Sequence, residues 1–497
     1  MTLHSTQHND AGSAAGLSLL ARAELNEIET WRAGRRGAEA GDQITITNPS
    51  TGSRIGAVAD EGATGIERAV ASAEAAFGNW RSLLASERAE YLMRWHDRIL
   101  AEADKLAALM TLEQGKPVED ARGEILYGAG FVKWFAEEGQ RVYGEIIPSH
   151  LPGCVTSVRQ QPLGVVAAVT PWNFPSAMLL RKAAAALAAG CPVVSVPSRV
   201  TPYSALALER LAEQAGLPRG IFQVVTGRTR TLVQALCDTP KVRALSYTGS
   251  TEVGRKIMAQ CAATVKRVSL ELGGHAPFIV FKDADLEAAV KGAIQAKFQT
   301  GGQDCLAANR IYVAAPLYED FVARFTEAAR KLKVGDGFEQ GIEIGPLATS
   351  ETLQKSRDHV ADAVAKGARV TCGGSDEVGG LYFTPTVIAD VTPDMKITHE
   401  ETFGPVAALM PFEDETDVLR RANQTEYGLV AYAYTNDLSL AQRLPDLLEY
   451  GMVAINTPKL TGAPIPFGGV KQSGIGREGS RTGILEYTET QYVCVCH

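Results

Sequence analysis

Through the middle of the chain, apolar runs of strand length alternate with amphipathic spans of helix length. Strands are predicted at 164–169, 192–196, 221–225 and 243–247, with helices at 176–189, 203–215 and 231–236 between them. This alternation predicts a parallel sheet covered by helices, the architecture that binds nucleotides beyond the carboxyl ends of its strands. Upstream, residues 43–59 alternate and turn at Asn48-Pro49 and Thr51-Gly52, the pattern of a hairpin. Two helices follow, one over about 66–77 and a longer one from near Ser86 that carries Leu92, Trp95 and Ile99 on one face. His96, on the same helix, reads as structural. Residues 143–148 and 154–159 are extended in character, without a helical period. A second α/β region spans about 274–449, and the chain closes with a glycine-rich loop at 466–474 and a β-type segment at 487–495 that has little to pack on locally.

The chemistry concentrates at 271–310. Glu271 is followed by a leucine and two glycines, and 277–281 reads as a strand. Asp283 is expected to cap a helix whose apolar face is Leu286, Val290, Ile294 and Phe298. That helix runs into Gly301-Gly302, where the backbone can turn sharply, and then into Cys305. A thiol beyond a glycine turn, with a carboxylate upstream, has the makings of a nucleophile and its base. A small buried thiol and a solvated loop acid describe the same residues equally well. Residues 248–254 form a glycine turn opening a helix, where backbone N–H groups can hold a pyrophosphate, although the G-x-G-x-x-G spacing is absent. The loop at 400–405 places two acids and Phe403 on a turn.

Length and charge narrow the class. A chain of 497 residues predicts two or three domains, and its 45% hydrophobic and 21% charged residues are those of a globular enzyme. The net charge of −8 argues against nucleic acid or an anionic membrane surface as partner. No apolar run approaches the ~18 residues of a membrane span. Residues 1–16 lack a basic start and an apolar stretch, and read as part of a loose tail. Eight cysteines are scattered without framework spacing; Cys494 and Cys496 beside His497 are too short a signal for a metal site, and no metal is expected. The expectation is a cytoplasmic protein with reduced thiols.

Six segments, PWNFP at 171–175, SYTGSTEVG at 246–254, LELGG at 270–274, GQDC at 302–305, EETFGPV at 400–406 and PFGGVKQSGIGREG at 466–479, resemble the aldehyde dehydrogenase superfamily in type and order. The segments at 179–190 and 276–286 and the end of the chain are most similar to its succinate-semialdehyde dehydrogenase group. The resemblance implies an α/β fold with a Rossmann-type cofactor domain at 21–139 and 160–273, after a loose tail at 1–20. A catalytic domain at 274–476 and a β arm for oligomerisation at 140–159 and 477–497 complete it. Cys305 is then the nucleophile, Asn173 a donor to the oxyanion and Glu271 the base that activates water. NAD or NADP is expected against Thr170, Pro171, Trp172, Val196, Ser198, Arg199, Gly249, Ser250, Leu272, Glu401 and Phe403. Arg181, Gln299, Lys459 and Thr461 are expected to hold the substrate, a small aldehyde with an anionic tail.

Four departures from the group's pattern carry consequences. Val196 and Arg199 stand where a lysine and an acid usually hold the adenosine ribose, which suggests use of both NAD and NADP. Gln299 replaces the second arginine of the carboxylate fork and Thr461 its serine, with Lys459 nearby. Ala307 replaces the cysteine of a redox-sensing disulfide, and His275 follows the glycine pair where asparagine is common. Alternatives to a hydrolytic semialdehyde dehydrogenase are a CoA-acylating enzyme, an enzyme for aromatic or other aldehydes, and a non-catalytic relative. Glu271 argues against the CoA-acylating branch, which has no need of a water-activating base. The exposed edges of the arm, which pairing with another subunit would cover, predict a homodimer or homotetramer.

Overall fold

The computed structural model describes residues 13–36, 42–374 and 379–497. Its first sheet has six strands in the order Gly474–Ile475, Arg267–Glu271, Val242–Thr248, Val165–Val169, Val193–Val196 and Phe222–Val224. The last five are mutually parallel, and Gly474–Ile475 pairs antiparallel on the edge. Strands alternate with helices because each central strand is buried on both faces: all five residues of Val165–Val169 are buried, leaving no polar side. The spatial order runs outward in both directions from Val165–Val169, so the connections reverse between it and Val242–Thr248. That reversal opens a crevice beyond the strands' carboxyl ends, where Thr170-Pro171 and Gly249-Ser250 emerge.

A second sheet of seven strands, Arg369–Cys372, Thr386–Ala389, Val406–Phe412, Ala308–Ala314, Ala276–Val280, Val430–Tyr434 and Met452–Ile455, is parallel except for its first edge strand. A third sheet joins Thr488–Cys496, Cys154–Pro162 and Glu145–Ile147, so the two extended segments that lacked local partners pair with each other. The hairpin of Gln43–Thr47 with Arg54–Ala59 is present, and Ala85–Ala101 buries Leu92, Trp95 and Ile99 completely.

Four expectations need correction. Ala14–Arg36 is a helix, so the loose tail does not extend to residue 20; residues 1–12 lie outside the described residues. Ala103–Gln114 and Val118–Glu138 are helices that the polar pattern did not reveal, because the first is buried on every side from Leu106 to Gln114 and has no solvent face to create a period. The cap of Leu286–Phe298 is Asp285, which accepts from the Ala288 N–H at 3.0 Å; Asp283 instead accepts from Thr435 and Asn436 on a neighbouring strand end. Finally, the thiols are not all free: Cys154 and Cys496, directly opposed in the third sheet, form a disulfide.

Candidate active site

The cleft between the two large sheets has a volume of ≈ 800 Å³, and Cys305 stands half-buried in its wall. The turn before it is tight: Thr300, Gly301 and Gly302 have φ of 54°, 63° and 71°. A side chain at Gly302 would meet the Gly404 carbonyl oxygen at 2.3 Å, so the thiol's loop packs directly on the 400–405 loop. A Cβ at Gly274 would lie 2.1 Å from the Cys305 carbonyl oxygen, which is why the carboxylate turn carries glycine there.

Asn173 also lines the cleft, its amide Nδ2 donating to the Gln303 carbonyl at 3.0 Å, two residues before the thiol. One of its two N–H groups remains for a ligand oxygen. The turn bearing it is held from behind. Lys116 Nζ donates to the Asn173 carbonyl at 2.7 Å and to Glu124 at 2.5 Å, while the other Glu124 oxygen accepts from the Ser176 and Ala177 N–H groups that open the next helix. Buried charges at this density require such complete pairing.

Glu271 ends its strand behind the cleft wall, 3% exposed, and its carboxyl does not line the cavity. Burial pushes its pKa up to about 8, with Glu478 raising it further and Arg181, Lys182 and Arg477 opposing. Glu478 keeps the negative charge of this pair because Arg181 and Lys182 both contact it, so its pKa stays below the usual range. Burial, then Asp304, Glu271 and Glu401, hold the Cys305 thiol well above its usual pKa, with Arg181 pulling the other way. The resting Cys305 thiol is therefore protonated at neutral pH.

Arg181 is 1% exposed and reaches the cleft from the helix Ala177–Ala189. Its Nε pairs with Glu478 at 2.5 Å, its plane lies over the Phe467 ring at 4.1 Å, and Nη2 meets the Met178 sulfur at 3.1 Å. Nη1 is buried with no hydrogen-bond partner. Gln299, Lys459 and Thr461 line the same cavity, and Tyr127 sits between Thr461 and Arg181.

Of the residues expected at a cofactor, Pro171, Trp172, Gly249, Ser250, Leu272, Glu401 and Phe403 line the cleft. Trp172 packs edge-on against Phe403 at 5.5 Å. Glu401 accepts from the Gly274 N–H at 3.0 Å, and burial pushes its pKa up to about 7. A Cβ at Gly249 would meet the Tyr247 hydroxyl at 2.1 Å, and Ser250 holds the N-cap position of the twelve-residue helix Thr251–Ala262 without a side-chain capping bond. A bare backbone turn at a helix start, between aromatic walls and a carboxylate, fits a dinucleotide. Thr170, Val196, Ser198 and Arg199 do not line this cavity. The Val196 side chain is wholly buried in the apolar core. Arg199 is exposed at the strand's carboxyl end, near Glu351.

Sequence reading missed Lys182, Glu478, Asp304, Tyr127 and the Lys116–Glu124 pair. Lys182 and Glu478 lie 296 positions apart, so no local spacing announces them, although Glu478 stands inside the GREG of the last motif. His275 packs against Tyr427 and is held neutral by burial and by Arg310.

A crevice at a strand-order reversal, lined by a thiol and an amide donor with a buried carboxylate behind its wall, fits a dinucleotide-linked enzyme. The chain belongs to the aldehyde dehydrogenase family, whose sequence pattern matches residues 36–493. It is 51% identical over 459 residues to the NADP(+) succinate-semialdehyde dehydrogenase GabD of Escherichia coli strain K12, covering 92% of this chain and 95% of that one. It is 50% identical over 459 residues to a glutarate-semialdehyde dehydrogenase of Pseudomonas aeruginosa, again 92% and 95% of the two chains. The crystal structure of a succinate-semialdehyde dehydrogenase from Burkholderia pseudomallei superposes with a TM-score of 0.91 at 48% identity, over 92% of this chain and 95% of that one. No helix among the described residues is long and apolar enough to cross a membrane.

Proposed function

We propose that this enzyme oxidises a semialdehyde with an anionic tail to the carboxylate, with water as the acyl acceptor. The observation that carries the tail is Arg181, a buried guanidinium at the cleft whose Nη1 has no partner. Its Nε is already engaged by Glu478, which fixes the fork's orientation. A ligand carboxylate completes the fork, because an unsatisfied buried N–H costs about 1–3 kcal/mol. Arg181→Leu is expected to raise KM roughly 30-fold or more for carboxylate-tailed aldehydes and little for neutral ones. Lys182 still contacts Glu478 in that variant, so the buried carboxylate keeps one cationic partner. Equal losses for neutral and anionic aldehydes would make Arg181 structural and remove the anionic tail.

The chemistry follows from the neighbours. Cys305, once deprotonated, attacks the aldehyde carbon, and Asn173 Nδ2 with the Cys305 N–H receives the developing oxyanion. One such donor contributes on the order of 10²–10³ in rate. An oxidised nicotinamide held by Glu401, Phe403 and Trp172 would supply the hydride acceptor. Glu271 then takes a proton from water, which attacks the resulting thioester and releases the acid. Glu401 and the Phe403 and Trp172 rings orient the cofactor's reactive end. A CoA-acylating enzyme has no use for a carboxylate at Glu271.

Both NAD and NADP are used in this reading, because Arg199 can donate to a 2′-phosphate but accepts nothing from a ribose hydroxyl. Arg199→Glu is expected to lower the NADP:NAD ratio of kcat/KM. An unchanged ratio would show that Arg199 faces solvent only.

Sheet membership supports a cofactor domain around 160–273, a catalytic domain from 274 and an arm around 140–159 and 477–497, with Gly474–Ile475, inside the expected catalytic span 274–476, joining the cofactor sheet instead. Exposed Ile146, Val155, Tyr492 and Val495 on that arm support a homodimer or homotetramer, and light scattering showing only monomer at micromolar concentration would refute it. We place the enzyme in the cytoplasm, since Cys191, Cys237, Cys261 and Cys372 are buried as unbridged thiols.

A further inference from the structure

At the tip of the arm, far in sequence from the catalytic thiol, three cysteines share one face of an antiparallel ladder. Cys496 pairs directly with Cys154, and Cys494 pairs with Thr156 two residues along. Because side chains alternate along a strand, Cys494 projects to the same side as Cys496 and its cross-strand partner. The Cys494 and Cys496 sulfurs are 3.9 Å apart, and all three sulfurs lie within 4.8 Å of one another. The His497 N–H donates to the Gly153 carbonyl at 3.2 Å, so the backbone beyond the cluster is tied down too.

We propose that, in the reduced protein, Cys154, Cys494 and Cys496 form a three-thiolate site for a soft d10 cation of the zinc or cadmium type. A zinc–sulfur bond of ~2.3 Å and tetrahedral angles place thiolate sulfurs roughly 3.8 Å apart, the spacing already set between Cys494 and Cys496. Reduction opens the third position. A dithiol transfers two electrons to the Cys154–Cys496 bond and leaves as its own disulfide, giving two thiols here. Their Cα atoms are 4.0 Å apart, so side-chain rotation separates the sulfurs without moving the strands. Binding one divalent cation to three thiols then releases three protons and leaves one coordination position for water. Disulfide and metal use the same sulfurs, so the two states exclude each other. The bland reading, a cross-strand disulfide with Cys494 as a bystander, predicts no role for the third sulfur.

The test uses the full-length Cys305→Ser protein, so that the active-site thiol contributes nothing. It is reduced with a phosphine, desalted under anaerobic conditions and titrated with cadmium, then competed with zinc. One cadmium per chain is expected, with a thiolate-to-metal charge-transfer band that zinc removes. Cys494→Ser and Cys154→Ser, each added separately, are expected to weaken binding by more than about 10-fold. Independently, bound zinc should protect all three arm cysteines from iodoacetamide, as read by mass spectrometry, and a chelator should abolish that protection. Parent-like titration by the Cys494→Ser protein would overturn the site. So would one cation per two chains, or the absence of both binding and protection when all three thiols are shown to be free.

Discussion

Cys305→Ala is expected to leave no measurable aldehyde oxidation, a fall in kcat on the order of 10⁴–10⁶, the scale of removing a covalent nucleophile. Cofactor binding, followed by calorimetry, should be within a few-fold of the parent. The separation follows from position. The thiol is held by the 299–302 turn and the Gly274 contact, while the expected pyrophosphate cradle at Gly249-Ser250 belongs to a different strand–helix joint. Truncation to alanine shortens one half-buried side chain and leaves those backbone contacts in place. Activity within about tenfold of the parent would remove Cys305 from the nucleophilic role; the expected loss is at least 10⁴.

Glu271→Gln is expected to separate the two halves of the reaction. Hydride transfer proceeds without the carboxylate, so rapid mixing should show a burst of NAD(P)H close to one per active site. The steady state that follows should be slower by on the order of 10²–10⁴. The fold should tolerate the change, because glutamine mimics the protonated acid that burial favours at this position. The pH dependence gives a second reading. A base acts in its ionised form, and the Glu271 pKa is raised to about 8, so at neutral pH most of it is protonated. The deacylation-limited kcat of the parent should therefore rise with pH through an inflection near 8, and that inflection should vanish in Glu271→Gln. A variant that keeps both the parent's steady-state rate and its inflection would assign the base to another group, with Asp304, also raised by burial, next in line.

The strands 165–169, 193–196, 222–224 and 242–248 were legible because a strand buried on both faces leaves a short apolar run bounded by turns, whatever surrounds it. The helix at 103–114 was not, since periodicity measures contrast between a wet and a dry face, and Leu106–Gln114 has only dry ones. The cap at Asp285 rather than Asp283 was decided by Thr435 and Asn436, which claim Asp283 from a strand about 150 residues away.

The same division runs through the site. By itself the sequence determined the family, the turn before Cys305 and the glycines around it, because each is a local backbone requirement written in consecutive residues. It also supplied the arginine, but not the partners of its guanidinium. The ion pairs that Glu478 makes with Arg181 and Lys182 come only from the tertiary structure. Val196 matched a ribose position in sequence and was claimed by the apolar core. Cys154 and Cys496, 342 residues apart, became neighbours only through strand register. Charge pairing, pKa shifts and cross-strand contacts depend on distances of a few ångströms between segments remote in the chain, and only the tertiary structure sets those distances.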